Sequence, residues 1–222
     1  MKVVPTAIFD LDGTLVDTSG DMIAAANACL GAPVLNPATD ASIAFAGGRA
    51  MLEAGSQRQG RLWAQAEIDA VYPDFLARYS QDLSQRSKIY PGARAAIDAL
   101  CDNGWRIAIC TNKPEALAQR LMVDLEWRKP FHALIGADTL PVRKPDPAPV
   151  IEAIRRAGGC PERAVMIGDS ESDLSAAHQA GVKSVLIQID VPPYRPTKTR
   201  PDAICSRISQ LVQILGKMIA LP

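Results

Sequence analysis

The segment Phe9-Asp10-Leu11-Asp12-Gly13-Thr14-Leu15-Val16-Asp17 decides how the rest of the chain is read. It completes an apolar, β-branched run over residues 3–9, broken only by Pro5 and Thr6, whose composition predicts a buried strand. That strand ends in acids, so carboxylates stand at its C-terminal edge. Asp10 and Asp12 lie two apart, and in extended backbone such residues share a face, so both can address one small ligand. Gly13 then permits a tight turn. On its own a DxD pair also suits an ordinary solvated turn, because Asp is common there.

The same layout recurs downstream. Residues 105–110 run into Thr111 and Asn112, residues 164–167 run into Gly168 and Asp169, and residues 133–135 and 185–187 read as further short strands. Helical patterns over residues 93–101, 114–125 and 147–157 lie between them, the last with Val150, Ile151 and Ile154 on one face. This alternation predicts an α/β fold, a doubly wound parallel sheet covered by helices on both faces, with ligands gathered at the carboxyl ends of the strands. Residues 18–88 break the pattern. They are Ala-rich and helical with no strand before Ile89, and they read as a small inserted α-helical domain, which leaves residues 1–17 and 89–222 as the core. Gly13 and the Tyr90-Pro91-Gly92 corner are the candidate hinges. Residues 192–200 read as a loop, ahead of residues 202–204 and a final helix containing Ile208, Leu211, Val212 and Leu215.

Bulk composition narrows the partners. With 222 residues, 48% hydrophobic and 22% charged, the chain can bury a sizeable core. Twenty-four basic and twenty-four acidic side chains cancel, so no overall field recruits nucleic acid or an anionic membrane, and a small molecule fits better. Five scattered cysteines form no CxxC pair and read as reduced, mostly buried thiols. Asp10 and Asp12 interrupt the first apolar stretch before it could act as an export signal, and no segment approaches the roughly 20 apolar residues of a membrane span. A cytoplasmic protein, monomer or homodimer, is expected. His132 and His178 lack metal-ligand spacing and read as structural.

The strand ends together describe a phosphate site. Thr111 supplies a hydroxyl with Asn112 and Lys113 beside it, Lys144 lies in Arg143-Lys144-Pro145-Asp146-Pro147, and Asp169 and Asp173 lie in Gly168-Asp169-Ser170-Glu171-Ser172-Asp173. Taken singly, Thr111 could cap the following helix and Lys144 could be a solvated loop charge. Two unit charges 4 Å apart interact by about 4 kcal/mol at an effective dielectric near 20, so Asp10, Asp12, Asp169 and Asp173 around a phosphate demand a bound cation. Mg2+, which favours oxygen ligands, is the natural choice.

These four motifs, in this order, resemble those of the haloacid dehalogenase superfamily, and specifically its phosphatases with an inserted helical cap. Asp10 and Asp12 match the first motif, Thr111 the second, Lys144 the third, and Asp169 with Asp173 the fourth. The resemblance implies that Asp10 attacks phosphorus, while Asp12 protonates the leaving oxygen and later activates water. It implies that Thr111 and Lys144 hold the phosphoryl oxygens, and that Mg2+ is bound by the Asp10 side chain, the Asp12 main-chain carbonyl and Asp169, with Asp173 acting directly or through water. Within the superfamily the chain looks most like the phosphoglycolate phosphatases, on the segment DLDGTLVDTSGDMIAAANACL and on Gly47-Gly48-Arg49-Ala50-Met51-Leu52. Gly48 and Arg49 are therefore further substrate-binding candidates, the glycine pair bringing a cap loop close and Arg49 forming paired hydrogen bonds with a substrate carboxylate. Asn112 joins them beside Thr111. A surface arginine after a glycine turn is the plainer reading of Arg49. The cap is expected to open for substrate and close over it.

Related chemistries fit less well. A dehalogenase of the superfamily has no phosphoester oxygen to protonate and lacks the acid found here at Asp12. A phosphonate-cleaving relative requires a Schiff-base lysine in the cap, and residues 18–87 contain no lysine. A sugar-phosphate mutase requires cap residues that hold a bisphosphate, which the same lack disfavours. A binding module that has kept the fold and lost turnover would be expected to have one of the motif residues altered.

Overall fold

A computed structural model describes residues 4–189 and 198–219. The expected loop at 192–200 therefore lies mostly outside the described residues. Eight strands and nine helices are seen among them, and they divide into two compact units, residues 1–15 with 89–222 and Val16–Lys88.

The larger unit is built on β1 (Thr6–Phe9), every residue of which is buried. β1 pairs in parallel with β4 (Arg106–Cys110) on one side and β6 (Ala164–Gly168) on the other, with Thr6 opposite both Arg106 and Ala164. β5 (Ala133–Ile135) extends the sheet beyond β4; β7 (Lys183–Ile187) and β8 (Ala203–Cys205) extend it beyond β6. The order is β5-β4-β1-β6-β7-β8, and each described pairing is parallel. A strand buried on both faces is apolar throughout rather than alternating, which is why these segments read as short continuous runs. The chain first builds outward to β5, then returns to the other side of β1. That reversal leaves a crevice at the carboxyl ends of β1, β4 and β6, where open α/β sheets bind ligands.

Side-chain alternation sends Ile8, Ala108, Cys110 and Met166 to one face, against α7 (Ala148–Ala157) and α8 (Glu171–Gln179). Phe9 and Ile187 meet residues of α5 (Ala93–Asp102) and α9 (Leu211–Met218) on the other, around a small apolar void lined also by Ile97, Ile208 and Leu211. α6 (Glu115–Asp124) follows β4 with Pro114 at its N-cap, the missing N–H falling where no intrahelical partner exists. On α7 the buried stripe is Val150, Ala153, Ile154 and Ala157, while Ile151 is 45% exposed. The expectation that Ile151 shares that face is therefore corrected: one residue advances a helix by about 100°, and 150, 153, 154 and 157 already complete the stripe. His132 is structural, its Nδ1 accepting the N–H of Ile107 at 3.2 Å beside the start of β5.

The smaller unit contains α1 (Ser19–Leu30), α2 (Pro37–Phe45), α3 (Gly48–Arg58) and α4 (Gln65–Gln81). α1 packs on each of the other three. Its approach to α3 is permitted by Gly55, where a Cβ would run into Leu30. Buried Asp21 on α1 accepts the backbone N–H groups of Arg86 and Ser87 and the Ser87 hydroxyl, tying the end of the unit to its first helix. Arg58 donates to both oxygens of Asp40 at 2.6 and 2.7 Å, which holds the Asp40 carboxyl down at about 2. Strands β2 (Val16–Asp17) and β3 (Lys88–Ile89) form a separate two-stranded sheet; β3 falls at Ile89, where the sequence suggested the next strand, and β2 was not foreseen.

Candidate active site

Three strand ends and one loop place the polar residues. Asp10 continues the β1–β6 ladder by one bond, donating its N–H to Ile167 O at 2.8 Å, and Thr111 does likewise from β4 to Ile135 O at 2.9 Å. Both side chains therefore start from fixed backbone. Past Asp10 the chain turns through Gly13 at φ 82°, a left-handed conformation that favours glycine. The turn is closed by the Leu15 N–H donating to Leu11 O at 3.0 Å.

Lys144 organises the centre. Its side chain is 1% exposed, and its Nζ donates to Asp10 Oδ1 at 3.0 Å, Asp173 Oδ1 at 2.5 Å and the Cys110 carbonyl at 2.6 Å. Burial disfavours the ammonium, but Asp10 and Asp173 outweigh it and hold its pKa above the ordinary lysine value. The Lys144 backbone is tethered as well, its carbonyl accepting the Asn112 amide at 3.0 Å. Asn112, expected at the substrate, thus spends its Nδ2 on the loop that carries Lys144.

Asp10, Asp169 and Asp173 bring one ligand oxygen each within 4.8 Å of one another. Burial pushes Asp10 up from 3.8 to about 6 against the pull of Lys144, and burial with the charges of Asp10 and Asp173 pushes Asp169 well above its ordinary value. Three carboxylates against one ammonium leave the cluster short of positive charge by two. An all-oxygen donor set with that deficit fits a hard divalent cation.

Thr14 and Ser170, not singled out from the sequence, and Lys113, named there only as a neighbour of Thr111, support the site. Thr14 Oγ1 donates to Asp169 Oδ1 at 2.9 Å. The Ser170 N–H and hydroxyl donate to Asp173 Oδ2 at 3.1 and 2.6 Å, a capping arrangement at the start of α8. Lys113 Nζ donates to Asp12 Oδ1 and Oδ2 at 2.8 and 3.0 Å. Each lies within two residues of a motif residue, and that proximity was the only signal available. Asp173 is fully buried, and its carboxylate lies against Gly168, where any Cβ would collide with it.

Gly48 and Arg49 belong to the helical unit and occupy the first turn of α3 rather than a loop. A Cβ at Gly48 would strike the rings of Phe75 and Tyr72, so the missing side chain serves the packing of α3 on α4. Arg49 Nε donates to Asp69 Oδ1 at 2.7 Å, and its guanidinium lies 3.8 Å from the Tyr72 ring centroid.

Comparison with known proteins identifies the family. Residues 7–187 match the family model described as haloacid dehalogenase-like hydrolase. The chain is 36% identical over 218 residues to a phosphoglycolate phosphatase of Mesorhizobium japonicum, covering 97% of this chain and 96% of that protein. It is 40% identical over 186 residues to the phosphoglycolate phosphatase of Xylella fastidiosa strain 9a5c, covering 82% and 79%. A crystal structure described as a predicted phosphoglycolate phosphatase from Haemophilus somnus 129pt superposes with a TM-score of 0.79 at 24% identity, covering 96% of this chain and 99% of that one, and it shares the fold. With strand-end acids around a buried lysine on a parallel sheet and a family match spanning residues 7–187, the chain belongs to the haloacid dehalogenase-like hydrolases.

Proposed function

We propose that the chain hydrolyses 2-phosphoglycolate through an aspartyl-phosphate on Asp10, with Mg2+ as its cation. It is a phosphatase of its family, a phosphoric monoester hydrolase. The observation that carries the mechanism is the Lys144 contact: one oxygen of Asp10 is fixed by a buried ammonium at 3.0 Å, which orients the carboxylate for attack by the other.

Asp10 attacks phosphorus as the bond from phosphorus to the leaving oxygen breaks, and that oxygen takes a proton from Asp12. Water then attacks the same phosphorus, Asp12 recovers a proton from it, and the Asp10 carboxylate is released with inorganic phosphate. Thr111 would donate to the phosphoryl oxygens, and Lys144, whose three N–H groups go to Asp10, Asp173 and Cys110, would act on them through its charge, which counts most in a dry site. Asp10, the Asp12 carbonyl and Asp169 would hold Mg2+, with Asp173 beside it also engaged by Lys144 and Ser170. The ion, when bound, neutralises negative charge on the cluster and the phosphoryl group.

The substrate assignment is drawn from the relatives named phosphoglycolate phosphatase. Arg49 is the proposed partner of the substrate carboxylate, its guanidinium oriented by Asp69 and Tyr72. We place the enzyme in the cytoplasm as a monomer or homodimer acting on a small ester without nucleic acid or membrane. Five free thiols support a reducing compartment, and among the described residues no helix is long and apolar enough to cross a membrane.

The test is phosphate release from phosphoglycolate, sugar phosphates, nucleotides and pyrophosphate, in Mg2+ and in chelator. Preference for phosphoglycolate, lost in chelator, supports the whole reading. Broad release lost in chelator would retain the mechanism and reject the substrate, and indifference to chelator would reject Mg2+. Arg49→Lys is expected to raise KM for phosphoglycolate about tenfold and to leave p-nitrophenyl phosphate unchanged, since a bidentate contact to carboxylate is lost.

A further inference from the structure

Lys113 takes no part in the reaction as described, yet its side chain is 3% exposed and its Nζ straddles both oxygens of Asp12. Burying an ammonium forfeits its hydration, so the contact is a built feature of the site and not a loose surface pair. The lysine starts from backbone that is held on both sides. Its N–H donates to Thr111 Oγ1 at 3.2 Å, its carbonyl accepts the Ala137 N–H at 2.9 Å, and Pro114 follows at the N-cap of α6. Asp12 lies three residues past the end of β1, directly before the turn at Gly13.

We infer that Lys113 is a positioning residue for Asp12, fixing the carboxyl group in the orientation from which it meets the leaving oxygen and, later, the attacking water. One oxygen stays held by Lys113 while the other carries the proton. The inference rests on the phosphatase reading with Asp12 as proton donor, and it extends that reading to a residue of a different strand end. A misplacement of about 1 Å at a catalytic group is enough to cost on the order of 10²-fold in rate.

The readout is leaving-group dependence. When the bond to phosphorus breaks, an alkoxide needs a proton at once, whereas p-nitrophenolate departs without one. Lys113→Met and Lys113→Gln are expected to lower kcat/KM at least about tenfold for the best alkyl ester of the substrate panel and less than about threefold for p-nitrophenyl phosphate, with Lys113→Arg recovering most of the loss. Asp12→Asn is the reference for complete loss of the proton donor. Equal losses on both esters, or no loss on either, in variants with native circular dichroism would overturn the positioning role. Failure of the underlying reading is distinguishable: the native chain would hydrolyse neither ester, or Asp12→Asn would itself show no leaving-group dependence, and the Lys113 inference would fall with it.

Discussion

Gly168 has no side chain because the carboxylate of Asp173 occupies that space, and this one close approach fixes two hydrogen-bonded contacts of the site. Gly168→Ala must displace Asp173 from Lys144 and Ser170 together. The expected result is a stability loss of about 1–3 kcal/mol in urea unfolding, with at least a tenfold loss of kcat. Thr14→Val removes the hydroxyl that holds Asp169 and should weaken Mg2+ binding about tenfold by calorimetric titration, as loss of a residue orienting a ligand does. Asp10, Asp12, Thr111, Lys144, Asp169 and Asp173 could be picked out in the sequence because carboxylates, a hydroxyl and a lysine recur where apolar runs stop. Thr14 and Ser170 could not, and Lys113 was legible only as a neighbour of Thr111. A threonine after a glycine turn reads the same whether it caps a turn or orients an acid, and the choice depends on residues up to 155 positions away.

At the scale of elements, the parallel strands were legible as short apolar runs and the inserted helical unit as the long interval without one. Two-residue strands are too short for any periodicity, so β2 was invisible and β3 showed only as the end of the strandless interval at Ile89. Ile151 shows the limit of reading helix faces: an apolar residue beside a buried stripe still lies on its edge. Gly55 lies in a polar stretch of sequence that gives no sign of its role, yet it is where α3 meets Leu30 of α1. Gly55→Ala should therefore destabilise the protein by about 1–3 kcal/mol in spite of alanine's better helix propensity, and differential scanning calorimetry would show it. An unchanged or raised Tm would mean that the two helices separate at little cost.

For the whole molecule, the acid cluster links stability to pH and to metal. Burial raises the Asp10 pKa from 3.8 to about 6, with Lys144 opposing, so the native state binds this proton more tightly than the unfolded chain. The contribution is complete below about pH 4 and is lost as pH rises through 6, on the order of 3 kcal/mol for Asp10; Asp169 acts in the same direction. Asp40, held at about 2, contributes oppositely and fails only as pH falls toward that value. Metal-free protein should thus resist urea better at pH 5 than at pH 7.5. Mg2+ should reduce that difference, because it binds the ionised carboxylates and stabilises the state that holds it. Equal stability at the two pH values in chelator would contradict the account of the cluster.

The most direct test of the central claim is to quench turnover of labelled phosphoglycolate in acid within milliseconds and map the label by peptide mass spectrometry. The account predicts phosphate on the peptide containing Asp10, and neither label nor activity in Asp10→Asn. Phosphate release that survives Asp10→Asn, or turnover with no phosphorylated Asp10 at any quench time, would contradict it.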